Sequence, residues 1–379
     1  MDRIQAVLDS FVERNMAVGT SVLIYRDGQE AFFGSAGKLA QDREEPFRRD
    51  AILLMYSMSK VVTAVAAVSL MEKGIFTPQT PVYELIPEFR NLQVAHEDGT
   101  LTPVKHPLTI EHLLTMTSGI PYVEPNMAVA PYYNKVIEKY NGRSVSTLEV
   151  MRMIGECPVC FEPGEHWLYG FSADVLGGVI VAATGMELGE YMKKTIFDPL
   201  GMTDTFFHVP GDKQPRMAGL YNVLEDGSFE AYLDDHENSH GLDTHLCDMG
   251  GGGLFSTVDD FARFGEMLRC GGKGVISPES IREMTRNHLS GKPLEEFWET
   301  PRGFGYGWLV RTMMHPEMNQ FGGESTGSFG WNGMAGTSLR IDPARGLTIV
   351  YGIQRVPAHH DDFIPPLMKA IEAVWPVEK

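Results

Sequence analysis

Apolar residues follow two different periods along the chain, and both ends of the chain show the same kinds of pattern. They recur at helical spacing over residues 1–16 and again over residues 361–375, which predicts an amphipathic helix at each end. Pairs of β-rich runs joined by turn residues predict antiparallel strands at 20–25 with 30–33 and at 337–341 with 347–353. The two ends therefore predict one sheet with helices packed against it.

The middle of the chain is dominated by helical periodicity, with loops rich in Gly, Pro and Asp. Helical patterns cover residues 108–116, 147–155, 173–184, 188–197 and 258–268. We expect an α+β fold, in which an antiparallel sheet is flanked by the N- and C-terminal helices and carries a large, mostly helical insertion. On this prediction residues 1–75 and 245–379 form the sheet domain, residues 76–244 form the helical domain, and the active site lies in the cleft between them.

The segment from Leu53 to Lys73 predicts one almost wholly apolar helix that stops at Gly74, and Ser57 and Lys60 stand three residues apart near its start. In a helix this spacing puts both side chains on one face, with Cβ atoms about 5–6 Å apart. A serine hydroxyl needs a neighbouring base, and a lysine desolvated among apolar groups can serve as one. The free N–H groups of a helix start can also stabilise an oxyanion. The pair therefore fits a nucleophile and its base, but it fits a helix cap and a solvated lysine equally well.

Two further segments add candidate functional groups. Tyr169 lies just before a predicted helix whose natural N-cap is Ser172, so its ring can point into a cleft. Residues 329–337 form a glycine-rich entry to a strand, where missing side chains let a ligand approach the backbone. The second segment therefore supplies candidate main-chain hydrogen-bond donors.

Taken together, these three segments resemble the signature elements of serine β-lactamases and penicillin-binding proteins, in the same order along the chain. The third element is Trp331-Asn332-Gly333. The similarity is closest to the class C β-lactamase-like branch and its family VIII carboxylesterases, and it spans roughly residues 17–354. Segments 113–119, 197–205 and 251–257 resemble further landmarks of that branch.

The resemblance implies a mechanism through an acyl-enzyme. Ser57 would be the nucleophile and Lys60 the base that assists its attack. Tyr169 would share a proton network with the lysine, passing a proton to the leaving group or taking one from the deacylating water. The backbone N–H groups of Ser57 and Met334 would form the oxyanion hole. Substrate contacts would come from Trp331, Asn332 and Gly333.

Two departures from the family pattern matter, and the second favours ester substrates. Phe171 stands where many β-lactamases carry Asn, and Trp331 replaces the lysine of the usual Lys-Thr-Gly triplet. In β-lactamases that lysine helps to hold the substrate carboxylate, so its loss disfavours anionic substrates such as penicillins. We expect a serine hydrolase that acts on a small neutral ester, as a carboxylesterase does, and weak β-lactamase activity is compatible with the site.

Charge and composition narrow the possible partners. The formal net charge of -18 repels phosphate backbones and anionic lipid surfaces, which leaves a small-molecule substrate and disfavours nucleic acid and membranes. Four cysteines in 379 residues and the lack of a leader pattern at residues 1–16 favour a cytoplasmic protein. No cofactor is expected, and the sequence does not indicate an oligomeric state.

A rival nucleophile is Ser325, because residues 323–327 match the G-x-S-x-G elbow of α/β-hydrolases. Asp342 and His359 then follow in that fold's order of triad members. The elbow requires a buried strand before the serine and a helix after it, and a glycine-rich loop stands here instead. We therefore favour an ordinary loop serine.

Two further patterns suggest metal or redox sites. His236, His240 and His245 lack a recognisable zinc spacing and suit a solvated loop equally well. Cys157 and Cys160 form a C-x-x-C pair without the second pair of a zinc site or the βαβ setting of a redox site. We therefore expect no metal, and two ordinary thiols.

Other functions remain open on the same fold. A β-lactamase and a D-amino-acid peptidase, amidase or transacylase would use the same residues. A non-catalytic ligand-binding protein is the alternative of another class, and the joint presence of Ser57, Lys60 and Tyr169 argues against it. Turnover of a chromogenic ester, measured beside a chromogenic cephalosporin, discriminates between these hypotheses.

Overall fold

The computed structural model describes residues 1–140, 145–232 and 247–377 of the chain. Its strands, in chain order, are β1 (Gly19–Arg26), β2 (Gln29–Gly37), β3 (Leu53–Leu54), β4 (Gln93–Ala95), β5 (Leu101–Pro103), β6 (Tyr221–Val223), β7 (Phe229–Ala231), β8 (Phe255–Ser256), β9 (Phe304–Tyr306), β10 (Arg311–Met313), β11 (Phe329–Asn332), β12 (Ser338–Asp342), β13 (Leu347–Ile353) and β14 (Arg355–Val356). The α-helices in the described ranges are α1 (Asp2–Glu13), α2 (Ser59–Glu72), α3 (Ile110–Leu114), α4 (Ala130–Tyr140), α5 (Thr147–Gly155), α6 (Ser172–Thr184), α7 (Leu188–Met192), α8 (Asp198–Leu200), α9 (Val258–Arg269), α10 (Pro278–Thr285), α11 (Gly291–Glu296) and α12 (His360–Glu372).

The main sheet joins the two ends of the chain. Its strand order is β2-β1-β13-β12-β11-β10-β9, and every neighbouring pair is antiparallel. β1 and β13 pair from Thr20 opposite Ile353 to Arg26 opposite Leu347. The N-terminal hairpin therefore continues directly into the C-terminal strands, as the patterns at the two ends predict.

The sheet is covered on both faces because its strands are apolar on both faces. Val22 and Tyr351 pack against α1 and α12, whereas Leu23 and Val350 belong to the core that contains α2 and α9. Alternate residues of a strand point to opposite faces, so one strand supplies both cores. The predicted α+β class, with terminal helices on an antiparallel sheet, is confirmed.

Most of the chain between β2 and β9 folds into helices and short strand pairs. β3 pairs with β8, β4 pairs with β5, and β6 lies between β14 and β7 in a small sheet. The apolar helices α2 and α6 pack against each other in the centre. The predicted domain limits at residues 75 and 245 stay a prediction.

The apolar segment from Leu53 to Lys73 is not one helix, and that prediction was wrong. Leu53 and Leu54 form strand β3, residues Tyr56–Met58 form a turn of 3₁₀-helix, and α2 begins only at Ser59. An apolar run cannot distinguish a buried strand from a buried helix by its period, which is why the sequence placed the start too early.

The described residues include strongly apolar helices, such as α2 and α6. No single helix there is long and apolar enough to cross a membrane. The ranges Ser172–Thr184 and Leu188–Leu200 reach the required length and composition only as a pair, which is bent by 77°.

Candidate active site

Ser57 lies on the 3₁₀ turn that leads into α2. The preceding residue, Tyr56, has a φ of 46°, a left-handed conformation that is uncommon for a bulky side chain. Strained backbone of this kind persists where the surrounding structure fixes it, and it often occurs at functional sites. The turn leaves Ser57 partly exposed at a cavity, while Lys60 one turn later is completely buried.

The Lys60 ammonium uses all three of its N–H donors. Nζ donates to Ser57 Oγ at 3.1 Å, to Tyr122 Oη at 3.0 Å and to the Gly251 carbonyl at 2.5 Å. Burial lowers the pKa of Lys60, but the interactions with Tyr122, Tyr169 and Asp174 raise it by more, so the pKa lies above its ordinary value. The resting site therefore holds a charged lysine that points at the serine oxygen.

Tyr122 is a site residue that the sequence did not reveal. It lies in the loop that follows α3. This loop approaches the segment after Tyr169 so closely that a Cβ on Gly170 would clash with the Ile120 carbonyl. Phe171 packs edge-to-face against the Tyr122 ring, with centroids 4.8 Å apart. Burial raises the pKa of Tyr122 by more than the charge of Lys60 lowers it, so the pKa lies above its ordinary value. Tyr122 is therefore neutral at pH 7 while it accepts a hydrogen bond from Lys60.

Tyr169 lies beside Lys60 but does not receive a hydrogen bond from it. Its ring centroid is 4.7 Å from Lys60 Nζ, and its hydroxyl accepts from Trp331 Nε1 at 2.9 Å. In this structure the hydroxyl that accepts a hydrogen bond from Lys60 is therefore that of Tyr122, and the Tyr169 hydroxyl is bonded to Trp331 instead. The catalytic role of Tyr169 stays a prediction.

The helix after Tyr169 begins differently from the prediction. Ser172 is the first residue of α6, not its cap, and Phe171 occupies the N-cap position without a capping side chain. Ser172 Oγ instead shares a hydrogen bond of 2.7 Å with Ser118 Oγ. The serine therefore ties the helix start to the loop that carries Tyr122.

The third element is the end of β11 and the turn into β12. A Cβ on Gly333 would clash with the Met55 carbonyl, so glycine lets this turn approach the 3₁₀ turn that carries Ser57. The Asn332 side-chain oxygen accepts from Ser338 Oγ at 2.9 Å and Arg340 Nη1 at 3.1 Å, within the sheet. Among the described residues, the Met334 N–H donates to no backbone carbonyl. It is therefore free to donate to a substrate oxygen.

These residues surround one cavity of about 670 Å³. Its wall is mainly apolar and includes the rings of Tyr122, Tyr169, Phe171, Trp298 and Trp331. The rings of Tyr169 and Trp331 stack at 5.8 Å, and Trp298 is 52% exposed at the edge. The structure thus brings Ser57, Lys60, Tyr169 and the Trp331–Met334 segment together, and the roles assigned to them stay predictions.

A polar group of residues borders the same cavity. Arg311 donates to Glu299 across 2.8 Å, and both are largely buried. Burial and the positive charge of Arg311 lower the pKa of His360 to about 4, so its imidazole is neutral at pH 7. Arg311 is therefore compensated by Glu299, and His360 adds no charge.

Ser325 lies in a loop outside this cavity. Its backbone N–H donates to Asp342 Oδ2 at 3.1 Å, and Asp342 in turn binds Arg345. The segment has neither a strand directly before the serine nor a helix directly after it. The geometry of an α/β-hydrolase elbow is absent from this described segment, which agrees with the loop reading.

The histidine pattern cannot be placed in the described residues, and the cysteine pattern can. His236, His240 and His245 lie outside the described residues. Within the described ranges no group of His, Cys, Asp and Glu could hold a metal ion. Cys157 and Cys160 are free thiols, and burial raises the pKa of each to about 11, so both are protonated at pH 7.

Comparisons with known proteins agree with this architecture. The family model described as Beta-lactamase matches residues 4–370. Protein Rv1367c of Mycobacterium tuberculosis is 29% identical over 372 residues, which cover 94% of this chain and 90% of that protein. Esterase EstB of Burkholderia gladioli is 28% identical over 363 residues, which cover 92% and 88%. The structure of EstCE1, described as a hydrolase with promiscuous acyltransferase activity, has a TM-score of 0.84 at 23% identity over 98% of this chain and 97% of its own.

The family match includes all three sequence elements that meet at the cavity. The likeness to EstCE1 shows the shared fold, and the relationship to EstB adds an esterase that aligns over most of both chains. These findings support an enzyme that forms an acyl intermediate. The chain belongs to the β-lactamase family, and it is a serine hydrolase of that fold.

Proposed function

We propose that this enzyme is a carboxylesterase that transfers the acyl group of a small, uncharged ester to Ser57 and then to water. One observation carries the proposal: Ser57 Oγ lies 3.1 Å from a buried Lys60 Nζ, at a mainly apolar cavity whose wall includes several aromatic rings. A nucleophile beside its proton partner is the arrangement that acyl transfer requires. The aromatic wall suits an apolar acyl or alcohol group.

Acylation begins when Ser57 Oγ attacks the carbonyl carbon of the ester. The Lys60–Tyr122 pair titrates as one unit, and after it has lost a proton it accepts the proton of the serine. The carbonyl oxygen becomes an oxyanion, for which the N–H groups of Ser57 and Met334 are the donors. The bond to the alcohol breaks, and the alcohol leaves after taking a proton from a tyrosine or from the lysine.

Deacylation repeats these steps with water as the nucleophile. Water attacks the acyl carbon, its proton passes to the same pair, and the ester bond to Ser57 breaks. The serine oxygen regains a proton and the acid leaves. Tyr169 contacts the cavity and lies beside Lys60, so it can exchange protons with the water or the leaving alcohol.

Acyl transfer to an alcohol is a second candidate for the same intermediate. The cavity of about 670 Å³ falls within the range of sites that hold drug-sized ligands, so an acceptor larger than water fits beside an acyl group. The described acyltransferase activity of EstCE1 is consistent with this proposal. The product of such a reaction would be a new ester instead of an acid.

The charges around the cavity favour uncharged esters over penicillins. Trp331 occupies the place of a cationic anchor, and its indole N–H is already bonded to Tyr169. Arg311 at the cavity border is paired with Glu299 at 2.8 Å. A substrate carboxylate would have to compete with Glu299 for Arg311, which makes binding of an anion unfavourable.

The test is turnover of p-nitrophenyl butyrate, combined with intact mass of the protein after exposure to the ester and to benzylpenicillin. We expect hydrolysis, a butyryl adduct on Ser57, and kcat/KM far higher for the ester. Ser57→Ala should abolish turnover, and the matched variant Ser325→Ala should retain most of it. A folded wild type with neither turnover nor adduct would support the ligand-binding alternative. A kcat/KM that favours the penicillin would support a β-lactamase.

A further inference from the structure

One peptide unit links the catalytic lysine to a buried carboxylate. Asp174 lies in the first turn of α6, five residues after Tyr169, and it is only 1% exposed. Its Oδ1 accepts the Gly251 N–H at 2.7 Å, and the Gly251 carbonyl accepts Lys60 Nζ at 2.5 Å. Asp174, Gly251 and Lys60 therefore form a continuous hydrogen-bonded line that ends at Ser57.

The second carboxylate oxygen has no hydrogen-bond partner. Among the described residues nothing bonds to Asp174 Oδ2, and the residue borders the cavity of Ser57. Ionised carboxylates are rarely buried without a positive partner, because removing their charge from water is costly. Asp174 interacts electrostatically with three titratable groups, which are Lys60, Tyr122 and Cys247. Of these three groups, Lys60 alone carries a positive charge.

We infer that Asp174 is the counter-ion of Lys60, and that through the Gly251 peptide it holds the ammonium on Ser57 and sets the pH at which acylation begins. Asp174 is thus a positioning residue, since it reaches the reacting atoms only through Lys60 and Gly251. This inference rests on the proposed esterase function. It involves no proton transfer through the peptide unit.

The charge of Asp174 should govern the acid side of the pH profile. Burial raises the pKa of Asp174 to about 6, although Lys60 lowers it, so the carboxylate is largely ionised at pH 7. A negative charge near Lys60 stabilises the ammonium and raises the pKa of the Lys60–Tyr122 pair. Removing that charge should therefore let the pair lose its proton, and become an active base, at a lower pH.

Asp174→Asn removes the charge and keeps the shape and the acceptor for the Gly251 N–H. The pH dependence of kcat/KM for p-nitrophenyl butyrate, and of inactivation by a fluorophosphonate, would be measured for the variant and the wild type. We expect the rising limb of both profiles to move down by about one pH unit or more, and the rate on the plateau to fall. Asp260→Asn is the matched control, because Asp260 is an equally buried carboxylate with a raised pKa that lies outside the cavity.

Gly251→Ala tests the same line without changing any charge. A Cβ on Gly251 would lie 2.8 Å from Asp174 Oδ1 and closer still to Oδ2, so the carboxylate must move away. On Gly252 the nearest atom to a Cβ is 3.8 Å away, which makes Gly252→Ala the backbone control. We expect G251A to lose at least about tenfold in kcat/KM and to shift the rising limb to lower pH. Gly252 also borders the cavity, so its variant is compared by the position of the limb, which should match that of the wild type.

Failure of the proposed function and failure of the inference give different experimental results. A wild type that reacts with neither the ester nor the fluorophosphonate contradicts the proposed function. A reactive wild type whose rising limb is unchanged in folded D174N contradicts the inference, as does an equal shift in D260N. Thermal melting shows whether each variant is folded. If D174N does not fold, the inference is overturned by a G251A variant whose kcat/KM and rising limb both match those of the wild type.

Discussion

Replacing Tyr122 with Phe would remove the hydroxyl that accepts a hydrogen bond from Lys60 at 3.0 Å and leave the ring in place. The edge-to-face packing of this ring against Phe171, with centroids 4.8 Å apart, would be kept. The Tyr122 hydroxyl belongs to the pair that takes the serine proton in the proposed mechanism. The variant therefore changes the proton network with little change in packing.

The size of the effect follows from the two things that the hydroxyl does. Proton transfer by a positioned side chain typically contributes about 10²–10⁴ in rate, which corresponds to about 3–5 kcal/mol in the activation free energy. A hydrogen bond to a charged group contributes about 1.5–3 kcal/mol, so part of the loss reflects a less well oriented lysine. We expect kcat/KM to fall by about 100-fold or more.

The assay is hydrolysis of p-nitrophenyl butyrate by Y122F, Y169F and the double variant. If both tyrosines act in one proton network through Lys60, their effects should be far from additive, and the double variant should be little worse than the poorer single one. Tyr133→Phe is the matched control, because among the described residues its buried hydroxyl has no partner. It should keep wild-type activity.

A Y122F enzyme within about threefold of the wild type would contradict this role, since the removal of a hydroxyl that takes part in proton transfer must slow the reaction by much more. Such a result beside a large loss in Y169F would indicate that Tyr169, and not Tyr122, takes part in the proton transfer. Strictly multiplicative effects would instead place the two tyrosines in independent steps.

Two further predictions concern the third element and the acid sensitivity of the fold. Gly333→Ala should reduce both kcat/KM and the urea midpoint, because its Cβ would clash with the Met55 carbonyl beside the turn that carries Ser57. Wild-type values of both would contradict the close approach. His360 has a pKa of about 4 in the folded chain against about 6.5 when unfolded, so protonation favours the unfolded state as the pH falls through this window. Its contribution of up to about 3 kcal/mol should be present above pH 6.5 and lost towards pH 4. His360→Gln should lose less stability between pH 7 and pH 4.5 in urea titrations, and an equal loss in both proteins would contradict this assignment.

The sequence predicted the sheet well because its strands carry strong local signals. The hairpin at Arg26-Asp27-Gly28 and the turn before Leu347 lie between β-rich runs, and these runs pair in the structure. The start of α2 was misplaced because an apolar run such as Leu53–Tyr56 has no period of its own. Local patterns therefore gave the type of each terminal element, but they did not give the limits of the buried ones.

Tyr122 could not be predicted because its position depends on a close approach to a glycine that is distant in the sequence. It lies in an irregular loop, where neither helical nor strand periodicity applies. The loop reaches Lys60 because Gly170 allows the Ile120 backbone to come close. The nearest signal was the landmark at residues 113–119, which ends three residues earlier. A site residue supplied by a loop needs the fold before it can be recognised.

Lys60 and Asp174 show that a single charge in an apolar helix helps to predict which other helix packs against it. Lys60 is the only charged residue in α2 before Glu72, and Asp174 is the only one in α6. Each would be costly to bury alone, so each requires an opposite charge from elsewhere in the fold. When two buried helices each carry one ion of opposite sign, the cheapest arrangement brings the ions together, and here they meet across the Gly251 peptide. The same reasoning that singled out Lys60 in the sequence thus applies to Asp174, and it ties the packing of α2 against α6 to the charge of Lys60.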